Sequence, residues 1–312
     1  MLILKPGSYF TVLNVRSMIF QFPEYGVLAL GMMACMIAGG IDLSLVGIMN
    51  LSGVLAALIV KNMVLIEGGE VANPAMVVPA IVLACVVAVV VGAACGAFNG
   101  FIIGYFGLPA MLVTLCGLQL YTGLAYGITG GPAINGMCDA FKNIANGTVA
   151  GIPYVLFIFI AVVAVVVFIM KCTVFGHEIY FLGSNAQAAM YSGINTLKVT
   201  IMTYMFSGIL GGISGILITS HLNSAKSSNG STYTLLSLLI VVLGGVHPDG
   251  GKGRVAGVVL AVLLLQMIAN AFGLMHMSDN AKTFANGCLL IAALVLSVVL
   301  EKREAQKAAA AS

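Results

Sequence analysis

Long stretches of this chain contain no Asp, Glu, Lys or Arg, among them residues 71–138, 143–170, 199–225, 255–278 and 283–300. A helix needs about 20 mostly apolar residues to cross a bilayer, and an uncharged run of 18 or more is the usual signal of one. Closed barrels are the other way to satisfy backbone groups in lipid, but their strands alternate apolar with polar residues, and these runs do not. Charged residues make up only 7% of the 312 positions and hydrophobic residues 61%, whereas a soluble domain carries roughly 25% charge. The chain therefore reads as an all-α, polytopic transmembrane helix bundle.

Apolar stretches predict helices at about 19–41, 46–61, 77–104, 109–130, 152–170, 198–220, 233–245, 255–274 and 281–300. These are about nine spans in a single transmembrane domain, 1–312, with a polar tail at 301–312. Two of them, 46–61 and 233–245, are short for a crossing and lie beside Gly39-Gly40 and Gly244-Gly245. Glycine pairs within apolar runs predict broken or re-entrant helices, tolerated where they are packed in protein or line a cavity. The start, Met1–Leu13, has no long apolar core and is neither a signal peptide nor a complete span.

Lys and Arg favour cytoplasmic loops. Placing the C-terminus inside and counting back through nine spans puts Lys171, Lys198, Lys252, Arg254, Lys302, Arg303 and Lys307 inside. Lys61, Lys142, Lys226 and Lys282 fall outside, with Lys5 and Arg16 before the first span and the acidic loop Glu67–Glu70 also outside. The bias favours a multi-pass protein of a cytoplasmic membrane with a cytoplasmic C-terminus.

Residues 171–198 are too long for a turn between two spans. Ser184 or Asn185 can cap a short helix running to about Ser192, and Gly193 suits the left-handed residue that ends one. Such a segment is either a docking surface or an ordered loop that touches nothing. Ala38-Gly-Gly-Ile-Asp42 and Leu243-Gly-Gly-Val-His247 form a faint internal echo, each ending a span.

Asp42 sits between two apolar segments. A carboxylate at mid-membrane costs about 2.5–3.5 kcal/mol on insertion scales. It is either a pathway residue or, the reading the sequence favours, an N-cap of the 46–61 helix, where its charge meets the helix dipole. Asn50, Asn99, Gln119, Gln266 and Asn270 are the polar residues inside spans, able to bond between helices or to line a path. In 244–257, Gly250-Gly251-Lys252 fails as a phosphate loop because position 246 is Val and position 253 is Gly. It reads as a tight basic turn of Gly250, Gly251, Lys252, Gly253 and Arg254. Seven cysteines without Cys-x-x-Cys spacing and four scattered histidines form no metal site. No catalytic set and no nucleic-acid-binding patch is visible.

Four ordered blocks, AGGIDLSLVGIMNLSGVLAA (38–57), NGFIIGYFGLPAMLVTLCGLQLYTGLAYGITGG (99–131), FGHEIYFLGSNAQAAMYSGINTLKVTIMTYMFSGILGGISGIL (175–217) and VLGGVHPDGGKGRVAG (242–257), resemble the bacterial permeases of simple-sugar ABC importers, of the ribose-permease type. The resemblance implies a non-enzymatic permease that translocates a monosaccharide or related small polar solute. Its expected partners are a second permease subunit (identical or not), a cytoplasmic ABC ATPase that binds ATP and Mg, an extracytoplasmic sugar-binding protein and membrane lipid. No cofactor is expected in this chain. The resemblance also makes 171–198 the cytoplasmic coupling loop, with Ser184, Asn185, Ala186, Ala189, Gly193, Ile194 and Asn195 as ATPase-coupling residues. Asp42, Ser44, Asn50, Asn99, Gln119 and Asn270 are the pathway or gating candidates. An ion-coupled secondary transporter using Asp42 and a nucleoside-type permease of the same family are the alternatives. Two departures stand out: the family usually has about ten spans, and its Gly-Gly-Thr-Ser-Leu-x-Gly-Gly-x-Gly-Arg reads Gly-Gly-Val-His-Pro-Asp-Gly-Gly-Lys-Gly-Arg at 244–254.

Overall fold

A computed structural model describes residues 11–64, 74–149, 151–275, 277–278, 281–282, 284–293 and 295. The loop Glu67–Glu70, the tail 301–312 and the end of the ninth predicted span lie outside the described residues.

Helix α1 is Val12–Ile37, capped by Thr11, whose hydroxyl accepts from the Asn14 amide at 3.3 Å. Helix α2 is Leu45–Val64, and a 3₁₀ turn at Pro74–Met76 leads into α3, Val77–Phe106. Then come α4 (Ala110–Thr129), α5 (Asp139–Asn146), α6 (Tyr154–Cys172), α7 (Val174–Ser184), α8 (Ala186–Tyr191), α9 (Thr196–Leu222), α10 (Tyr233–Leu243) and α11 (Val255–Leu274). Helix α12 is Phe284–Ala293. Two antiparallel pairs of two-residue strands, 134–135 with 224–225 and 148–149 with 152–153, tie loops together.

Each predicted span contains a helix, although the first ends at Ile37 rather than 41 and 233–245 ends at Leu243; among the described residues seven helices are long and apolar enough to cross a membrane. One expectation is corrected. The 46–61 helix is not short: it runs through Lys61 to Val64, 20 residues in all. Lys61 does not stop it because a cation in the last turn meets the negative end of the helix dipole, and its long stem can extend towards the interface. The 233–245 helix is short as expected, at 11 residues. Helix α7 occupies 174–184, where the sequence predicts a loop.

The paired glycines end helices in the same way. At α1, Gly39 N donates to Met36 O (3.0 Å) and Gly40 N to Cys35 O (2.9 Å); at α10, Gly245 N donates to Val242 O (3.0 Å) and Val246 N to Val241 O (3.2 Å). This is the Schellman ending, which needs one left-handed residue. That residue is the first glycine of one pair, Gly39 at φ 89°, and the second of the other, Gly245 at φ 78°. The sequence echo and the structural echo are thus offset by one position.

The tightest packing joins α3 to α9. Along α3 the small residues Ala80, Ala84, Ala88, Gly92, Gly96, Gly100 and Gly104 recur every fourth position, on one slowly winding stripe. Of the buried residues of α3, only Asn99 lies off that stripe. The larger Val78, Val82, Val86, Val90 and Phe98 point outward. A β-carbon on Gly96 would overlap the Tyr204 carbonyl oxygen, one on Gly92 that of Gly208, and one on Gly212 that of Ala88. In lipid, apolar surface gains nothing by leaving its surroundings, so association depends on backbones coming this close. Helix α1, buried from Phe22 to Ile37, packs chiefly against α9, and then α10 and α11, to complete the core.

Gly96→Leu should lower the stability of the micelle-purified protein by about 2 kcal/mol or more, as expected for overpacking against immovable backbone. Gly127→Ala, where a β-carbon meets open space, should leave it unchanged or slightly raised. Thermal unfolding of the two variants beside the wild type measures both effects.

Candidate functional site

Between α1 and α2 the chain crosses the bundle interior without helical hydrogen bonds, and that break carries the densest polar cluster. Asp42 and Ser44 are fully buried there. Oδ1 of Asp42 accepts from the Ser44 amide (3.1 Å) and the Ser44 hydroxyl (2.6 Å), while Oδ2 accepts from the Ser207 hydroxyl on α9 (2.8 Å). Hydrogen bonds to a charged group contribute about 1.5–3 kcal/mol each, enough together to offset the cost of holding a carboxylate in the membrane interior. Asp42 is not the helix cap that the sequence suggested. It lies three residues before Leu45 and bonds the amide two positions on, an Asx turn that orders the break itself.

The cluster continues into two further helices. Asn99 of α3 donates to the Ser44 hydroxyl (2.8 Å) and accepts from the Tyr121 hydroxyl of α4 (2.8 Å). Thr114 of α4 donates to Ile41 O at 2.9 Å. Gly117 makes room, since a β-carbon there would sit 3.1 Å from Asn99 Oδ1 and 3.2 Å from Ser44 Cβ. A cavity of about 510 Å³ between α3 and α4 reaches Asn99 along otherwise apolar walls that include Phe98, Ile102, Leu112 and Leu120. The buried Tyr204 hydroxyl has no hydrogen-bond partner among the described residues, and a β-carbon on Gly40 would overlap it.

The remaining pathway candidates lie apart from this cluster. Asn50 of α2 donates to Ser227 O at 2.8 Å, and its own Oδ1 has no partner among the described residues. Asn270 of α11 exchanges two amide hydrogen bonds, each 2.9 Å, with Asn14 of α1. Gln119 is exposed on the outer face of α4. Asp42, Ser44 and Asn99 therefore meet; Asn50, Gln119 and Asn270 do not join them.

The 184–195 segment forms as its sequence suggests. Asn185 caps α8, its side chain accepting from the Ala188 amide at 2.9 Å. Gly193, at φ 84°, ends it with bonds from Gly193 N to Met190 O (3.1 Å) and from Ile194 N to Ala189 O (3.1 Å). Asn195 then caps α9 through the Lys198 amide at 3.0 Å. Ala189 is buried and anchors α8, while Ser184, Asn185, Ala186, Gly193 and Asn195 are exposed and Ile194 is half-buried. Beside this segment, Gly250, Gly251, Lys252, Gly253 and Arg254 form a turn with both cations exposed. Tyr180 of α7 donates to Gly253 O at 2.9 Å. Burial pushes the Tyr180 phenol up, and the Arg254 guanidinium opposes that shift.

The sequence reading passed over Glu24. It is buried within α1; its carboxylate bonds His221 at the end of α9 and accepts from the Tyr233 hydroxyl of α10 at 3.1 Å. A single acidic residue inside a predicted span was the available signal. Nothing local pointed to its partners, which lie 197 and 209 positions away.

Asp42→Ala would strip the acceptor from three donors and should destabilise the purified protein by about 2–4 kcal/mol. Ser207→Ala removes one of the three bonds and should cost about 1.5–3 kcal/mol, less than the loss of all three. Unfolding midpoints in one detergent rank the two variants; an Asp42→Ala protein as stable as wild type contradicts the bonding described.

Residues 14–294 match the family model described as branched-chain amino acid transport system / permease component. Over 292 residues the chain is 32% identical to the ribose import permease protein RbsC of Haemophilus influenzae, covering 92% of this chain and 86% of that one. It is 31% identical over 296 residues to RbsC of Bacillus subtilis, covering 94% and 87%. With the L-arabinose transport system permease protein AraH of Escherichia coli it shares 26% identity over 295 residues, covering 95% and 85%. No solved structure matches the chain. A bundle with seven helices long enough to span a membrane, matched over residues 14–294 by one transport family, belongs to that family: this chain is one of its membrane-embedded permease components.

Proposed function

We propose that this chain is the permease subunit of an ATP-driven importer of a monosaccharide or related small polar solute. The observation that carries the reading is the identity to ribose import permeases across 92–94% of the chain. In this reading the chain supplies the path and no hydrolysis. ATP and Mg belong to a separate cytoplasmic ABC ATPase, and an extracytoplasmic binding protein delivers the solute. The C-terminus is cytoplasmic, in a bacterial inner membrane.

Each partner has a place that supports it. The exposed, doubly capped 184–195 segment, between the 11-residue α7 and the 27-residue α9, suits docking on the ATPase, with Ser184, Asn185, Ala186, Ala189, Gly193, Ile194 and Asn195 as its coupling residues. Lys252 and Arg254 lie exposed nearby, and two cations at a loop favour the cytoplasmic side. Helix α5 and the loops around it suit the binding protein. Gln119 faces outward beside a recess of about 500 Å³ that Gly123 and Gly127 also line, a surface that a second permease subunit can complete into a path. Asp42, Ser44 and Asn99 shape the break next to the α3–α4 cavity. The hydroxyl bonds on Asp42 support a bonding role within the break rather than one in ion coupling.

Alone in proteoliposomes, the chain should hydrolyse no ATP and move no sugar. With the ATPase and the binding protein added, labelled D-ribose or L-arabinose should accumulate on addition of ATP. Uptake that proceeds without either partner would sink this reading in favour of an ion-coupled transporter.

A further inference from the structure

Three segments far apart in sequence meet backbone to backbone next to the exposed 184–195 segment. The end of α1 supplies Ile37–Gly39, the end of α7 supplies Gly183, and the 250–254 turn supplies Gly250 and Gly251. Gly251 N donates to Ile37 O at 2.8 Å. Ile37 O is one of the helix-terminal carbonyls that α1 cannot satisfy itself. A β-carbon on Gly183 would overlap that same oxygen and come within 2.6 Å of Gly251 N. One on Gly250 would lie 2.8 Å from Gly39 Cα and 2.9 Å from Gly183 O. Gly39, Gly250 and Gly251 also hold φ of 89°, 91° and 72°, a region that other residues enter only with strain. The contact is therefore doubly restricted to glycine, by space and by backbone conformation. A side-chain bond secures it from outside, from the Tyr180 hydroxyl to Gly253 O at 2.9 Å.

Position gives this contact its meaning. Gly183 immediately precedes Ser184, where the exposed segment begins. Ile37 O lies five residues before Asp42, whose carboxylate holds the break to Ser44 and to Ser207 of α9. No flexible side chain intervenes between the segment and the break. A displacement of 184–195 bears directly on the last turn of α1, because packed backbone has no slack to absorb it.

We propose that Gly183, Gly39, Gly250 and Gly251 form a joint that passes movement of the ATPase-docking segment to the α1–α2 break, and so to the Asp42–Ser44–Asn99 cluster beside the cavity. The joint rests on the importer reading above. Its glycines are positioning residues; they touch neither solute nor nucleotide. Stiff backbone contact of this kind transmits force in both directions, so the joint also carries the signal that a loaded binding protein sends inward to the ATPase.

The test uses the full complex of permease, ATPase and binding protein in proteoliposomes, with whichever of D-ribose or L-arabinose drives uptake. Gly183→Ala should still co-purify with the ATPase and keep its unstimulated hydrolysis. Stimulation by loaded binding protein should fall by about tenfold or more, with uptake falling in parallel. Tyr180→Phe keeps every backbone contact and loses one hydrogen bond, so stimulation should fall by about two- to fivefold. It decides the matter if Gly183→Ala does not reach the membrane. Gly273→Ala on α11, where a β-carbon meets open space, should match the wild type. Wild-type stimulation and uptake in both Gly183→Ala and Tyr180→Phe would overturn the joint while leaving the importer intact. A wild-type chain that recruits no ATPase would overturn the importer reading and the joint with it.

Discussion

Backbone-to-backbone contact between α3 and α9 is the constraint on which the bundle rests. Lipid tails are as apolar as leucine, so two apolar helices gain nothing merely by covering each other. They gain by dense contact, and seven small residues at every fourth position of α3 provide it. The arrangement leaves the valines and phenylalanines of α3 to face lipid, a reversal of the soluble pattern in which the largest apolar residues go inside. Once α3 and α9 lie this close, Tyr204 and Ser207 of α9 and Asn99 of α3 are brought to the same depth, and the polar cluster has its walls.

Around that seam the structure divides into stiff and interrupted parts. The seam itself has no room for side chains to rearrange. The interruptions fall where glycine pairs end α1 and α10, and both lie beside the turn 250–254 or lead into it. Helix α1 connects the two ends of the bundle. Glu24 binds it to α9 and α10 at one level, and the Ile37 carbonyl binds it to Gly251 at the other. Pro23, which cannot donate a helical hydrogen bond, stands just before the first of these attachments.

What the sequence disclosed follows from how local each signal is. Charge-free runs located the spans because a bilayer imposes length and apolarity residue by residue. Asn185 and Gly193 were readable as cap and terminator of α8 because each acts within four residues of itself. The end of the 46–61 helix is less legible: Lys61 closes the apolar run, yet a lysine in the last turn suits a helix end, and the helix continues to Val64. Asp42 was recognisable as a problem the fold must solve, but not how: Ser207 lies 165 positions away. Glu24 with His221, Asn14 with Asn270, and Gly251 with Ile37 escaped for the same reason. The period-four row in α3 is present in the letters, but its purpose is not, since a small residue declares it only through the neighbour it admits.

The bond from Ser207 to Asp42 has a consequence for how the chain is made. Asp42 leaves the ribosome 165 residues ahead of Ser207. At about 5–20 residues per second the interval is roughly 8–33 s. Throughout it, the carboxylate has Ser44 beside it but neither α9 nor the closed seam around it. A carboxylate without those partners is held near water rather than hydrocarbon. Until α9 is made, the connection between the first two helices therefore lacks the serine that holds its aspartate inside the bundle. Translation order, and not only final contact, is written into the spacing between an aspartate and a serine.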